Sequence, residues 1–217
     1  MLALQGLRFD WGAGATLEFP DLDLAQGRTL LLTGPSGCGK STLLALIAAL
    51  LTPSAGRLTV AGEEPACMSR AERDRWRGAT LGFMPQRLHL SESLSVRRNL
   101  ELPFIAAGEA VNTACVDTVL AELGLQGLAQ RRPHQLSLGQ AQRVAIARAL
   151  LRKPRLLLAD EPSANLDDGN TAAVLALLQR SAHEAGATLV VATHDARVRN
   201  AFDGAAVLRL AAIGAAR

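Results

Sequence analysis

The sequence predicts an α/β fold: a core with a parallel β-sheet, an antiparallel β subdomain and an inserted α-helical subdomain. Three observations support this fold class. Short apolar strands alternate with amphipathic helices in the first and last thirds of the chain. Residues 156–160 are apolar on both faces, as strands in the middle of parallel sheets are. Residues 87–135 interrupt the alternation and have helical spacing of their apolar positions.

Composition limits the class of protein. Of the 217 residues 49% are hydrophobic and 20% are charged, and the net charge is +3, a balance typical of a soluble globular chain. This length suits one large domain, or a core with a subdomain. So small a net charge does not by itself indicate nucleic acid, and no nucleic-acid partner is expected.

Cysteine usage and hydropathy indicate the cellular compartment in which the protein is expected. The three cysteines are widely spaced and form no C-x-x-C pair, so we expect neither a disulfide framework nor a cysteine metal site, which fits a reducing cytosol. Arg8 and Asp10 come too early for the apolar segment of a signal peptide. No run of about 20 apolar residues predicts a membrane span.

The N-terminal strands are predicted to form a small antiparallel sheet. Residues 2–9 alternate apolar with other side chains, and residues 16–24 suggest a second strand that bends at Pro20. We assign the strand at 28–33 and the segment 57–61 to the same sheet, beside a nucleotide-binding core.

A phosphate-binding loop follows the strand at 28–33 and precedes an apolar helix predicted at 43–51. The loop matches G-x-x-x-x-G-K-[ST] without a mismatch. Its residues are Gly34, Pro35, Ser36, Gly37, Cys38, Gly39, Lys40, Ser41 and Thr42. Glycines let backbone N–H groups turn towards phosphate oxygens, and the helix N-terminus adds partial positive charge there. Lys40 is predicted to reach β- and γ-phosphates and Ser41 to ligate Mg²⁺; the alternative is a chance glycine turn.

The middle of the chain is predicted to be mainly helical. Ser69 is a predicted N-cap for a charged helix at 69–77, which we interpret as a solvated face and not as a nucleic-acid patch. A strand at 80–84 then leads to Gln86. Two amphipathic helices are predicted at 95–106 and 112–123, and Gly124 closes the second.

The last third of the chain places acids and a histidine at strand ends. The segment 136–140, Leu-Ser-Leu-Gly-Gln, opens a helix that Pro154 ends, and a helix is predicted at 168–184. The strand at 156–160 ends in Asp160 and Glu161, and the strand at 187–192 is followed by Thr193, His194 and Asp195. Parallel α/β sheets bind ligands at the carboxyl ends of their strands, so these side chains are candidates for one site.

Taken together and in order, these segments resemble the ATP-binding subunit of ABC transporters over nearly the whole chain. The matching elements are the phosphate loop at 34–42, Gln86, the signature at 136–140 with its following helix, the acidic strand at 156–161, the loop 163–167 and His194. The resemblance implies a P-loop NTPase (RecA-like) core at about 1–86 and 136–217, with the helical subdomain at about 87–135. It also implies ATP and Mg²⁺ as ligands, and ATP hydrolysis.

The resemblance assigns a role to each site residue. Ser41 and Asp160 would hold Mg²⁺, and Gln86 would contribute to the metal site or to the attacking water. Glu161 would be the general base; the alternative is a surface acid beside a metal ligand. His194 would contact the γ-phosphate and order the base and the water; the alternative is an ordinary capped polar residue. Phosphoryl transfer depends on such positioning and charge stabilisation.

Members of this family work as head-to-tail dimers, which implies that Ser137, Gly139 and Gln140 face the γ-phosphate of a second subunit. Asp167 would lie at the interface between the subunits. Leu138 departs from the commonest signature, which has glycine there. If that position requires a positive φ, leucine costs about 1 kcal/mol, and we expect tuned but not lost activity.

Trp11 has two interpretations. Its position in the family implies that its ring stacks on adenine, whereas an aromatic residue at a strand end also serves packing.

The middle block resembles the lipoprotein-releasing and macrolide-efflux branch of the family. That resemblance implies a separate membrane permease as partner, export or lipoprotein release as the transport type, and a peripheral location at the cytoplasmic face of the inner membrane. Arg98 stands where many relatives carry an acid, so contacts with the permease are expected to differ there.

Other members of the superfamily have different functions. A DNA-repair ATPase of this type needs a long coiled-coil insertion, and a translation-type protein carries two cassettes on one chain; the sequence has neither. An inactive regulatory subunit would lack Glu161 or His194. The remaining alternative is an ABC-type ATPase without a transport role, either regulatory or DNA-associated.

Overall fold

The computed structural model of the protein describes residues 1–12 and 16–211. Within these ranges the strands are β1 (Leu2–Asp10), β2 (Thr16–Glu18), β3 (Leu22–Leu24), β4 (Thr29–Thr33), β5 (Ala55–Val60), β6 (Leu81–Met84), β7 (Leu156–Asp160), β8 (Thr188–Thr193) and β9 (Ala206–Arg209). The α-helices are α1 (Lys40–Ile47), α2 (Arg70–Thr80), α3 (Val96–Ala106), α4 (Thr113–Glu122), α5 (Leu138–Leu150), α6 (Asp168–Glu184) and α7 (Ala196–Ala201). Short 3₁₀ turns occur at Pro65–Cys67, Gln126–Leu128 and Pro133–Gln135.

The central sheet is parallel and has the strand order β6-β7-β8-β4-β9. β7 lies between β6 and β8, as its continuous apolar sequence predicts, and every residue of β7 and β8 is buried. Asp160 pairs with Ala192, and Thr33 pairs with Thr193. The ends of β4, β7 and β8 therefore meet at one edge of the sheet.

The two faces of this sheet pack against different layers. Leu156 and Leu158 point to a core formed with α1 and the antiparallel sheet. Leu157 and Ala159 point to a second core formed with α5, α6 and the inserted helices α3 and α4. Alternation along a strand sends successive side chains to opposite faces, so a strand that is apolar throughout supports a layer on each side.

The antiparallel sheet is organised around β1. One side of β1 pairs with β5, and the other side pairs with β3 near its start and with β2 near its end. The predicted strand at 16–24 is two short strands on either side of Pro20, which cannot donate a ladder hydrogen bond. The assignment of the strand at 28–33 to this sheet was wrong. β4 pairs in parallel with β8 and β9, because its alternating leucines fill both cores of the central sheet.

Most helices lie where the pattern predicts them. Ser69 caps α2 with a reciprocal hydrogen-bond pair to Glu72, and α6 has the predicted bounds. Gly124 follows the C-cap residue of α4, Leu123, and has a φ of 65°, the left-handed conformation that commonly terminates helices. The phosphate-loop helix begins at Lys40, earlier than predicted. It also ends earlier, at Ile47, because Ala49 adopts a φ of 53° that is incompatible with helical geometry.

The inserted helices pack on the core through apolar side chains, and one buried amide orders the segment that precedes α3. Leu100 and Phe104 of α3 belong to the same apolar cluster as Leu157 of the central sheet. Asn99 is fully buried; its Oδ1 accepts from Ser91 N at 2.7 Å, and its Nδ2 donates to the carbonyls of Ser91, Leu94 and Ser95. Those bonds fix the segment that leads from Gln86 into α3.

No helix in the ranges 1–12 and 16–211 is both long enough and apolar enough to traverse a lipid bilayer.

Gly82 brings β6 into direct contact with α5. A Cβ at this position would lie 2.2 Å from the Ala149 carbonyl oxygen and 3.0 Å from Leu157 Cδ1. Glycine is therefore required for the close approach of strand and helix, and not for an unusual φ.

We predict that Gly82→Ala lowers the free energy of unfolding by about 1–3 kcal/mol, the usual cost of overpacking a core. The measurement is a denaturant midpoint at constant m-value. Gly127→Ala is the matched control, because a Cβ there meets open space. Equal stability of the two variants would contradict the close packing of β6 on α5.

Candidate active site

Three parallel strands bring the predicted site together. β4 leads into the phosphate loop, β7 ends at Asp160, and β8 ends at Thr193. The strands are hydrogen-bonded neighbours in the order β7-β8-β4, so residues after their carboxyl ends share one edge of the sheet.

The phosphate loop has the backbone that its glycines predict. Gly37 and Gly39 adopt φ values of 78° and 96°, in the left-handed region. Gly39 also lies against β2, since a Cβ there would be 3.0 Å from Leu17 Cδ1. Cys38 is buried beside Gly34, where an added Cβ would come 2.6 Å from its Sγ. These contacts show that Cys38 packs inside the loop as a small buried residue.

Lys40 is buried and folded back onto its own loop. Its Nζ donates to the carbonyl oxygens of Gly34 at 2.9 Å and Pro35 at 3.1 Å. The same Nζ lies 4.0 Å from Oε1 of Glu161. A buried ammonium with carbonyl partners at the mouth of a glycine loop can exchange those partners for phosphate oxygens.

Glu161 is the centre of the site. Its side chain is 8% exposed, and its carboxylate is 2.7 Å from His194 Nδ1 at Oε1. Its Oε2 accepts from the Thr193 hydroxyl at 3.3 Å and from the His194 N–H at 3.4 Å. The buried carboxylate is therefore stabilised by several groups together, the Lys40 ammonium and the Thr193 hydroxyl among them, and not by one ion pair.

The backbone at Glu161 is unusual. Its φ is 48°, which costs a non-glycine residue of the order of 1 kcal/mol. The Glu161 N–H donates to the Ala192 carbonyl of β8 at 2.9 Å, which holds this conformation. Residues held in this way cluster at functional sites.

Asp160 lies in a different environment from its neighbour. It is buried, and its Oδ1 has no hydrogen-bond partner among the residues that the structure describes. Burial raises the pKa of Asp160, the Glu161 charge raises it further, and the Ser41 hydroxyl and Lys40 oppose the rise. A buried carboxylate oxygen without a donor, beside a hydroxyl, fits the ligand set of Mg²⁺.

Gln86 lies apart from this cluster of hydrogen bonds. It follows β6, the strand beside β7, and its exposed side chain makes no hydrogen bond to any described residue. The following segment is held by the helix α5, because Arg148 donates to the carbonyls of Leu88 at 2.7 Å and His89 at 2.8 Å. Burial lowers the pKa of Arg148. The only sign of this role in the sequence is that Arg148 stands on an otherwise apolar face of α5.

The signature residues contact their own helices. The Ser137 hydroxyl accepts from the Gln140 N–H at 3.3 Å, and Gln140 Oε1 accepts from the Ser137 N–H at 2.9 Å, which makes a capping box at the start of α5. Gly139 is buried, and a Cβ there would lie 3.0 Å from Asn170 Oδ1 at the start of α6. None of the hydrogen bonds in the described ranges joins the signature to the phosphate loop of the same chain.

Leu138 causes no backbone strain. It is the first residue of α5, and its φ is negative. The cost expected for leucine at a left-handed position therefore does not arise. The side chain is 43% exposed at the start of the helix.

Asp167 caps α6. Its Oδ1 accepts from the Asn170 N–H at 2.8 Å and its Oδ2 accepts from Asn170 Nδ2 at 2.6 Å. These hydrogen bonds, the backbone bond first, lower the pKa of Asp167. Asn170 thus links Asp167 to Gly139, so the signature and the loop 163–167 share one surface.

Trp11 lies just beyond the end of β1 and is 55% exposed. Its ring meets Phe9 edge-to-face at a centroid distance of 4.9 Å. That contact accounts for part of the ring surface and leaves the rest open, so packing and adenine stacking are compatible. Residues 13–15 of the glycine-rich turn that follows lie outside the described residues.

Comparison with known proteins identifies the family. The model of the ABC transporter family matches residues 17–164. This chain belongs to the ABC transporter family. It is an ATP-binding subunit with ATPase activity. Its similarity to the transporter proteins LolD and MacB favours this function over that of an ABC protein without a transport role.

Two curated relatives fit the predicted branch. The chain is 43% identical over 207 residues to the lipoprotein-releasing system ATP-binding protein LolD of Anaeromyxobacter dehalogenans, covering 92% of this chain and 87% of that protein. It is 37% identical over 204 residues to the macrolide export ATP-binding/permease protein MacB of Bartonella quintana, covering 91% of this chain and 31% of MacB. The chain thus corresponds to about a third of MacB.

Solved structures confirm the P-loop NTPase fold class. The ATP-binding cassette MJ0796, solved as a dimer in a post-hydrolysis state with ADP and Pi, matches with a TM-score of 0.85 and 31% identity, over 97% of this chain and 94% of that one. A second dimeric structure of MJ0796 matches with the same TM-score and 30% identity, over 99% and 97% of the two chains.

We predict that Asp160→Asn raises the melting temperature of the nucleotide-free protein at pH 7. The raised pKa means that folding disfavours the ionised carboxylate, so the parent loses stability as the pH rises through that pKa. Each kcal/mol relieved moves the midpoint by about 2–4 °C in a chain of this size, and the difference should shrink at acid pH.

Thermal unfolding at several pH values measures this effect. Asp203→Asn is the control, since Asp203 is exposed. A lower midpoint for Asp160→Asn than for this control at pH 7 would contradict the proposed cost of the buried charge.

Proposed function

We propose that the chain binds Mg-ATP at the phosphate loop and hydrolyses it with Glu161 as general base, in a homodimer that drives a membrane permease. The observation that carries the proposal is the position of the buried Glu161 carboxylate between the His194 imidazole and the Lys40 ammonium. This position brings a group that can bind phosphate, Lys40, and a group that can accept a proton, Glu161, into one site.

Nucleotide binding rests on the phosphate loop. Its left-handed glycines and the start of α1 present backbone N–H groups to the β-phosphate, and Lys40 leaves the Gly34 and Pro35 carbonyls for the β- and γ-phosphates. Trp11 offers its open ring face to adenine.

A divalent cation fits beside the phosphates. Asp160 and Ser41 would hold Mg²⁺, and Gln86 would complete that set or orient the water. Bound there, the ion neutralises charge on the phosphate oxygens. The unpartnered Oδ1 of Asp160 supports this assignment.

Hydrolysis uses the groups around Glu161. A water molecule attacks the γ-phosphorus, Glu161 accepts its proton, and the bond to the β-phosphate oxygen breaks to release ADP and phosphate. His194, bonded to Glu161 through Nδ1, keeps the carboxylate in place and presents its exposed ring towards the γ-phosphate. Lys40 stabilises charge on the leaving group.

The site is completed by a second copy of the chain. Ser137, Gly139 and Gln140 begin α5, where the first N–H groups of a helix have no partner within it and favour an anion. Ser137 uses its oxygen as an acceptor for the cap and keeps its hydroxyl proton to donate. Asp167 would contact the other subunit. The dimeric cassettes of similar fold support this arrangement.

The permease is proposed to dock on residues 86–104. This segment begins at Gln86 and is hydrogen-bonded to the signature helix α5 through Arg148. It contains Arg98, which donates a hydrogen bond to the buried carboxylate of Glu101 at 2.8 Å. Attachment through the permease would place the chain at the cytoplasmic face of the inner membrane. The similarity to LolD and MacB supports export or lipoprotein release as the transport type. The proposed division into a core (1–86 and 136–217) and a helical subdomain (87–135) rests on α3 and α4, which lie between the strands β6 and β7 in the chain.

We predict that Glu161→Gln binds ATP, dimerises and turns over about 10²–10⁴-fold more slowly, because it loses the base and keeps the phosphate site. Steady-state phosphate release and size-exclusion chromatography with Mg-ATP measure both effects. Lys40→Ala is the matched control and should lose binding and dimerisation. Parental turnover in Glu161→Gln would reject this base, and parental affinity in Lys40→Ala would reject the phosphate site.

Shared sites predict complementation between two inactive variants. Ser137→Arg blocks the signature, and Lys40→Ala removes the phosphate ligand, so neither homodimer should occlude ATP. In a mixed dimer one site has both defects and the other has neither, and it should occlude one ATP per dimer. Filter retention of labelled ATP measures occlusion. No occlusion in verified mixed dimers, or full activity of Ser137→Arg alone, would rule out shared sites.

A further inference from the structure

Arg197 on α7 makes several side-chain hydrogen bonds and is not among the groups proposed above to act in hydrolysis. Its Nε and Nη2 donate to Asp195 Oδ2 at 2.9 and 2.7 Å. Its Nη1 donates to the Leu166 carbonyl at 3.2 Å and to Asp168 Oδ1 at 2.8 Å. One planar guanidinium therefore joins the residue after His194 to the loop 163–168.

Asp195 is held from both sides. Its Oδ2 also accepts from the Ser163 hydroxyl at 2.8 Å, and Ser163 is buried. Hydrogen bonds from the Arg197 side chain, together with that from Ser163, hold the pKa of Asp195 far below its ordinary value. Asp195 is therefore an anion at any working pH, and its bonds to Arg197 are charge-assisted.

The backbone of Asp195 connects this pair to the catalytic carboxylate. The Asp195 N–H donates to Thr193 Oγ1 at 2.9 Å, and the Thr193 hydroxyl donates to Glu161 Oε2 at 3.3 Å. Thr193 is fully buried, so its hydroxyl has no contact with bulk water. A displacement of Asp195 would turn the Thr193 hydroxyl away from Glu161.

We propose that Arg197 is a positioning residue for ATP hydrolysis: through Asp195 and Thr193 it fixes the Glu161 carboxylate relative to the loop 163–168. This inference rests on the proposed function, in which Glu161 is the base and Asp167 faces the second subunit. Its consequence is that the loop at the subunit interface and the base move as one unit. Arginine suits the role because its planar fork reaches a carbonyl and two carboxylates at once.

The test is a kinetic comparison of two arginines on one helix. Arg197→Met keeps side-chain length and removes every donor, and its turnover should fall by about 10–100-fold while KM for ATP stays unchanged, since small misplacements of a catalytic group have effects of that size. Arg199→Met is the matched control; Arg199 is exposed on α7, and its side chain makes no hydrogen bond to a described residue. It should keep parental kinetics.

Two further variants separate positioning from general stability. Arg197→Lys keeps the charge beside Asp195 and loses the fork, so it should restore part of the turnover. Ser163→Ala removes the other donor to Asp195 and should lower turnover in the same sense. Because both act through Asp195, the double variant with Arg197→Met should lose less than the product of the two single effects.

Contrary results are distinguishable. Parental turnover in Arg197→Met overturns the positioning role. A fall in turnover that is accompanied by weaker ATP binding and a lower melting temperature also overturns it. Strictly multiplicative effects of Ser163→Ala and Arg197→Met do the same. None of these results affects the proposed function. A parent chain that does not hydrolyse Mg-ATP overturns the proposed function together with this inference.

Discussion

Two adjacent buried carboxylates at the end of β7 are the constraint on which the rest of the site depends. Burying a charge is costly unless other groups compensate it, and the two acids are compensated differently. Glu161 is surrounded by Lys40, Thr193 and His194. Asp160 keeps an oxygen without a donor in the described ranges and has a raised pKa. This difference fits the two proposed roles, Glu161 as a proton acceptor and Asp160 as a cation ligand.

This constraint determines much of the fold around it. The groups that compensate Glu161 come from the loop after β4 and from the end of β8, so both strands must run parallel to β7 and end level with it. A sheet of such strands is buried on both faces and needs a layer of cover on each side. The antiparallel sheet with α1 supplies one layer, and the helices supply the other. The edge of the sheet then presents polar side chains above a core that is apolar throughout.

The sequence predicts local structure and the chemistry of strand ends well, and it predicts pairing and contacts between distant segments less well. The phosphate loop, the β7 acids and His194 follow from short motifs next to apolar strands. The strand β4 was assigned to the wrong sheet, since a run of leucines does not specify its neighbours. The small strand β9 and the helix α7 were missed, because both are short and lie among alanines. Arg197 was missed because its role arises only when loops far apart in sequence meet.

The structural reason for glycine at position 139 cannot be read from the signature motif. A glycine in a phosphate-binding signature suggests that backbone must approach an anion, yet a Cβ at Gly139 would already press on Asn170 of the same chain. Asn170 in turn bonds Asp167, and the loop that carries Asp167 is tied by Arg197 to the segment after His194. The signature, the loop 163–168 and Glu161 therefore form one connected network within the chain. A surface that orders the signature from outside would also act on the position of Glu161, which gives a physical reason for the proposed dependence of hydrolysis on a second subunit.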